Sequence, residues 1–311
     1  MNIWVIAEQQ ELALELTGAA RTLSGTAGEV ITVLTGTEAQ AQMAVKSGAS
    51  KCYYINGEMP LENYAESLAE ALKTAKPRLI LIGATRRGKD LAAKIAALLG
   101  VGCATDGKNI EFTAEGVKIE RMVYGGLAVS TLISQEETVI VTVPPKTYEA
   151  PAQEERTGEV KAFTGQPSTK VKVVEKRAKP KDAVNIADAA VVVGVGRGFA
   201  KQEDLKLAED LAKVLEGELG CSRPVAEDLH WLPEDRYIGI SGQNIKPGLY
   251  LSLGISGQVQ HISGIRDAKI IFAVDKNENA PIFQNADYYI VGDLYQVVPA
   301  LEEACKKALN K

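Results

Sequence analysis

The chain is poor in the residues that several function classes need. It has two histidines and four cysteines in 311 residues, and Cys52, Cys103, Cys221 and Cys305 stand far apart with no C-x-x-C pair. Zinc and iron–sulfur centres draw on clustered Cys and His, so no structural or catalytic metal site is expected. Scattered cysteines point to buried free thiols in a reducing compartment rather than a disulfide framework. Aromatic residues are only 5% of the chain and the net charge is −5, which argues against the stacking platforms and basic surface of a nucleic-acid binder. No run reaches the roughly 18 apolar residues of a membrane helix. The amino-terminal MNIWVIAEQQ enters an apolar strand directly, without the basic segment of a signal peptide. The expectation is a cytoplasmic protein with no nucleic-acid partner and no direct membrane insertion.

What is present is an alternation of short apolar runs with helical patterns. Strands are expected at Asn2–Ala7, Glu29–Leu34, Lys51–Ile55 and Leu79–Ile82, and helices at Glu11–Leu23, Thr37–Lys46, Leu61–Thr74 and Lys89–Leu99. This order predicts a parallel sheet covered by helices on both faces. Thr85-Arg86-Arg87-Gly88, read as the turn after a strand, is either a phosphate-seeking loop or a solvated turn; alone, the solvated turn is preferred. Strands at Lys108–Phe112, Val117–Tyr124, Ala128–Ile133 and Thr138–Thr142 read as an antiparallel or mixed extension of that sheet. A polar segment over about 145–187 follows. It includes KVKVVE at Lys170–Glu175, read as an exposed or edge strand, and a Lys- and Pro-rich stretch near Ala178–Asp188 read as the domain boundary. The fold class is thus α/β with two domains, 1–187 and 188–311, each a mostly parallel sheet flanked by helices and the second doubly wound.

The second half carries the chemistry. Strands are expected at Ala189–Val193, at Leu219-Gly220-Cys221, and at Tyr237–Ile240, Tyr250–Leu253, Lys269–Val274 and Tyr288–Val291. Pro224 is expected to hold Arg223 out of the helical region. The stretch LYLSLGISGQVQH, ending at His261, runs from a strand through Gly254 and Gly257 into a helix start, whose free N–H groups suit an anion. GVGRGFA has glycines at 194, 196 and 198, which is not the dinucleotide G-x-G-x-x-G spacing. Each motif alone is weak. As a set, however, Arg197, Ser222, Arg223, Ser241, Ser256, His261, Asp275 and Asp293 all follow the carboxyl ends of strands, and in a parallel sheet those ends share one ligand-binding edge. The ligand should be long, anionic in its middle and hydrogen-bonded at both ends, as a dinucleotide is.

GVGRGF, GCSRP, LYLSLGISGQVQH and NAPIFQNADYYIVGDLYQVVP together resemble the α subunit of electron transfer flavoproteins over most of residues 188–311. LIGATRRGKDLAAKIAALL and RMVYGG extend the resemblance loosely into the first half, and departures at Ile240, Gln243 and Asp275 resemble those of the Fix-type branch. The resemblance implies FAD in the second domain and a heterodimer with a β subunit contacted by the first. It also implies electron shuttling from acyl-CoA or related flavin dehydrogenases, as in fatty acid β-oxidation, to a quinone oxidoreductase or ferredoxin-type acceptor. Such a protein is an electron carrier rather than an enzyme with its own substrate.

Carried over by position, Arg197, Ser222 and Arg223 match FAD contacts, with Arg223 near the flavin ring. Ser241, followed by Gly242, matches a hydroxyl near flavin N5. Ser256, Gly257, Gln260 and His261 match the pyrophosphate and pyrimidine-edge contacts, and Gly254 is a further candidate cofactor-binding residue. Asp293 and Leu294 match the adenosine end. A fixed guanidinium beside a flavin favours its reduced, anionic forms, and a histidine donating to the ring would act in the same sense. The sequence departs from the family at Ile240, Gln243 and Asp275; an ionised Asp275 would repel phosphates, yet its place at a strand end keeps it among the candidate cofactor-binding residues. Two alternatives stay open: an electron-bifurcating, NADH-oxidising relative, and a nucleotide-binding regulatory module without redox chemistry.

Overall fold

Continuous apolar runs become parallel strands in both halves of the chain. The computed structural model describes residues 1–25, 27–57, 59–175 and 185–309, and contacts divide the chain into Met1–Lys176 and Arg177–Lys311. Most of the Ala178–Asp188 boundary stretch lies outside the described residues. Ile186 is already buried in the second unit's core, so that unit's packing begins before the expected start at Asp188.

The first unit opens with β1 (Asn2–Ala7), α1 (Gln10–Ser24), β2 (Glu29–Thr35), α2 (Glu38–Lys46) and β3 (Lys51–Ile55). α3 (Ala65–Ala75), β4 (Leu79–Gly83) and α4 (Arg86–Leu99) follow, then the strands β5 (Cys103–Ala104), β6 (Gly107–Thr113), β7 (Gly116–Val123), β8 (Ala128–Ser134), β9 (Val139–Val143) and β10 (Glu159–Ala162). Seven strands form one parallel sheet in the order β10-β3-β2-β1-β4-β9-β5. Side chains alternate across it. Ile3 and Val5 pack with α1 and α2, whereas Trp4 and Ile6 pack with α3 and α4. A sheet covered on both faces needs unbroken apolar strands, and β1, β4 and β9 are buried almost throughout.

Three expectations for this unit are corrected. Thr85–Gly88 is not a turn: Thr85 caps α4, its side chain accepting from the Gly88 N–H at 2.9 Å, and Arg86–Gly88 form the first helical turn. The later strands are not one extension of the sheet. β6, β7 and β8 make a separate antiparallel sheet, while β9 joins the large sheet beside β4 in parallel register. Finally, much of the polar segment after Pro144 is strapped to the unit rather than free. The buried Glu15 carboxylate accepts from the Lys146 and Tyr148 N–H groups, and β10 pairs with β3. Lys170–Glu175 is exposed but not a strand; the Asn63 side chain instead donates to the Val171 carbonyl at 3.1 Å.

In the second unit β11 (Val191–Val195), α5 (Lys206–Val214), β12 (Glu218–Cys221), β13 (Leu249–Leu253), α6 (Val259–Ile265), β14 (Ile271–Asp275), β15 (Tyr288–Val291) and α7 (Leu294–Leu309) build a five-stranded sheet. Every pairing is parallel and the order is β12-β11-β13-β14-β15. Val193 and Leu251 pack with α5 and α7; Val192 and Tyr250 pack with α6. Tyr237–Ile240, expected as a strand, makes only single bridges, from Tyr237 to Cys221 and from Ile238 to Gln243. Gly239, at φ +153, starts a turn closed by the Gly242 N–H on the Gly239 carbonyl, which folds the chain back before a ladder can grow. All four cysteines are free. Cys52 and Cys221 are buried as expected, but Cys103 and Cys305 are partly exposed. No helix among the described residues is long and apolar enough to cross a membrane.

Candidate functional site

The strand order of the second unit fixes where a ligand can sit. From β11 the chain goes to one side to make β12, then returns to place β13 on the other side. The loops leaving β11 and β13 therefore diverge, and the crevice between them is the binding place of open α/β sheets. A cleft of about 690 Å³ lies there, a size suited to a cofactor. Its walls bring together Arg197, Ser222, Arg223, Gly254, Ser256, Gln260, His261, Asp275, Asp293 and Leu294. Ser241, Gly242 and Gly257 do not line it. Ser241 touches the wall at one remove, through a 2.9 Å hydrogen bond to the Tyr237 hydroxyl, and Tyr237 does line the cleft.

Backbone contacts shape the floor. The Gly196 and Gly198 N–H groups donate to the Leu253 and Gly254 carbonyls, each at 3.0 Å, stitching the β11 loop to the β13 loop. Gly254 sits at φ +63, and a Cβ there would lie 2.7 Å from the Gly198 Cα. No side chain fits between these loops, so a ligand meets bare backbone. This requirement explains a glycine pattern that misses the dinucleotide spacing. α6 is a short helix of seven residues whose N-cap, Gln258, has no side-chain capping bond.

The charged groups divide into committed and uncommitted. Arg197 is exposed and makes no ion pair among the described residues. Arg223 is also exposed, with Nε held 2.6 Å from Glu227. Its backbone contradicts the expectation drawn from Pro224: Arg223 is helical, at φ −49 and ψ −49. Pro224 opens a wide turn in which the Leu229 N–H reaches the Pro224 carbonyl five residues back, and this helical path brings Glu227 under Arg223. Asp275 Oδ1 accepts from the Asn277 N–H at 2.9 Å, so the carboxylate is partly spent on its own turn although the residue lines the cleft. Lys276 beside it lines the same wall. Asp293 likewise accepts from the Tyr295 N–H at the start of α7.

His261 is buried, and burial lowers its pKa to about 4, although the Ile238 carbonyl favours the protonated ring. Its Nε2 lies 2.7 Å from the hydroxyl of fully buried Tyr250. Its Nδ1 is buried with no hydrogen bond of normal geometry. A buried imidazole in a cleft wall, a glycine floor and three cations along the edge fit a polar, anionic ligand with an extended body.

Sequence reasoning missed Tyr237, Lys276 and Tyr295. Tyr295 ties two walls together, its hydroxyl accepting from the Ala200 N–H at 2.8 Å and donating to Asp204 at 2.6 Å. Its signal was its place in the first turn of a helix that begins at a strand end, directly after Leu294. Lys276 adjoins a residue already singled out. Tyr237 had no local signal, because its role depends on a turn formed by two later glycines.

Comparisons with known proteins agree with this geometry. Residues 185–266 match the electron transfer flavoprotein FAD-binding domain and residues 3–168 the electron transfer flavoprotein domain. The chain is similar to the putative electron transfer flavoprotein subunit YdiR of Escherichia coli K12, 39% identical over 96% of both chains. It is also similar to the protein FixB of Salmonella typhimurium LT2, 36% identical over 97% of both. Among solved structures, the S. aureus MnaA–UDP complex is 13% identical, covering 100% of this chain and 88% of that one, with a TM-score of 0.35. That likeness is too slight to bear on fold or function.

Proposed function

Because the chain belongs to the electron transfer flavoprotein family, as a member of its α type, we propose that it holds FAD in the second unit's cleft as the α subunit of a heterodimer. With its β subunit it carries electrons from an acyl-CoA or related flavin dehydrogenase to a quinone oxidoreductase or ferredoxin-type acceptor. FAD, when bound, supplies the one- and two-electron redox chemistry. The observation that carries this reading is the cleft at the β11/β13 divergence, which gathers ten of the thirteen candidate cofactor residues chosen from the sequence.

The chain's own groups have distinct tasks in this reading. Arg197 and Arg223 supply positive potential at the cleft edge. Glu227 restrains the Arg223 guanidinium and so orients it toward one region of the wall. The Gly198–Gly254 contact lets backbone approach the ligand closely. Lys276 and the Asp275 turn keep the acidic residue from presenting an uncompensated charge to phosphates. Tyr237 places the Ser241 hydroxyl at the cleft margin.

The test is to co-purify the chain with its β subunit, release any flavin, and identify and count it. At least one FAD per heterodimer is expected, and a flavin-free complex that cannot be reloaded overturns the reading. Arg223→Ala should make the flavin midpoint potential more negative, because a cation that favours the reduced anion is lost. Reduction of the complex by an acyl-CoA dehydrogenase with its substrate checks the donor side.

A further inference from the structure

Tyr250 is fully buried in β13, beneath α6, and its hydroxyl lies 2.7 Å from Nε2 of His261, with the Ser252 side chain also beside it. Space for the phenol is made by Gly194 on the neighbouring strand, where a Cβ would come within 2.1 Å of the Tyr250 oxygen. Ser252, on the same face of β13, has a buried hydroxyl without a hydrogen bond of normal geometry. A buried phenol O–H needs an acceptor, since an unsatisfied buried donor bears the full cost of desolvation. If Nε2 carried the imidazole proton, the Tyr250 O–H would be left with the Ser252 hydroxyl, and the Ile238 carbonyl facing the ring would lose its donor. With Nε2 bare, the O–H is satisfied and the ring proton must reside on Nδ1.

We propose that Tyr250 is a positioning residue that holds His261 as the neutral Nδ1–H tautomer, so that any hydrogen bond His261 offers the ligand is donated from Nδ1 to a carbonyl-type acceptor. The ring then brings no positive charge to the cleft, and the cationic field there comes from Arg197, Arg223 and Lys276. Burial of the pair acts in the same direction, lowering the His261 pKa and raising that of Tyr250. The arrangement also links the sheet to the cleft wall. α6 carries His261 and docks on the turn after Ile238 through the Ile240 N–H on the Gln260 carbonyl, at 3.0 Å, and through Gly264, where a Cβ would meet the Gly239 nitrogen at 2.6 Å. The identity of the acceptor as a flavin carbonyl rests on the proposed function; the tautomer does not.

The chain has only one other histidine, the exposed His230, so His230→Gln leaves a single imidazole to observe. Long-range proton–nitrogen NMR of the ¹⁵N-histidine-labelled full chain, with flavin removed, should show Nδ1 protonated and Nε2 bare. Tyr250→Phe should lose that exclusive pattern and weaken FAD binding about tenfold, while Ser252→Ala should keep it. An Nε2–H or imidazolium signature in the parent chain at neutral pH overturns the proposal, and that spectrum decides even where Tyr250→Phe fails to fold. An unchanged tautomer and unchanged FAD affinity in Tyr250→Phe overturn it as well. Failure of the parent chain, with its β subunit, to bind flavin would instead overturn the flavin reading, which the tautomer spectrum leaves separate.

Discussion

Gly254 shows how one residue can serve both backbone and ligand. It occupies the left-handed region and faces Gly198 across a gap with no room for a methyl group. Gly254→Ala should cost about 1–3 kcal/mol through backbone strain, and more if the β11 loop is pushed away. Urea unfolding measures the stability loss, and flavin titration should show weaker binding in the same variant. His261 gives a residue-level pH dependence. Its pKa is about 4 when folded, against an ordinary value of 6.5 in the unfolded chain. As pH falls below the unfolded value, the unfolded state takes up the proton first, so this group's contribution is whole above 6.5 and is lost toward 4. The loss should approach about 3 kcal/mol. His261→Gln should lack this part of the slope when unfolding is compared at neutral pH and near pH 4. Neither the Tyr250 partnership nor the choice of ring nitrogen was legible in the sequence, since residues 250 and 261 meet only when α6 folds back over β13.

At the level of elements, helix–strand packing in the first unit includes one buried polar joint. Thr17 in α1 donates to the Ala13 carbonyl at 2.6 Å, and its oxygen lies 2.8 Å from the Thr32 hydroxyl in β2. Both residues are fully buried. With the Thr17 proton directed to Ala13, Thr32 must be the donor between them. Thr17→Val should therefore strand the Thr32 hydroxyl and cost about 1–3 kcal/mol, whereas the double change to valine should be nearly neutral. A double-mutant cycle reads this directly, and simple additivity would contradict it. Period-2 and period-3.6 patterns located most elements to within a few residues. They did not show that β6–β8 pair only with each other, nor that β9 pairs with β4, because pairing partners lie far apart along the chain. Arg223 illustrates the same limit locally: the steric preference before Pro224 favoured extended backbone, but the turn that follows imposed a helical one.

On the scale of the whole molecule, each unit has its own apolar cores and the proposed FAD site draws only on the second. A ligand stabilises the unit it binds by mass action, about 2.7 kcal/mol at 100 times its dissociation constant. Calorimetry should accordingly resolve two transitions, with added FAD raising only the one assigned to residues 185–309; an equal shift of both would contradict this. The sequence alone determined the α/β class, the division into two units and the set of polar residues at strand ends, because hydrophobic periodicity and glycine placement are local properties of the chain. It also carried the family motifs. Only the tertiary structure decided that the polar segment after Pro144 is strapped to the first unit, that a turn at Gly239–Gly242 stops Tyr237–Ile240 from forming a strand, and that β12 and β13 flank β11 on opposite sides. The last of these creates the cleft. Strand order is a matter of which distant segments exchange hydrogen bonds, and nothing within a single strand records its neighbours.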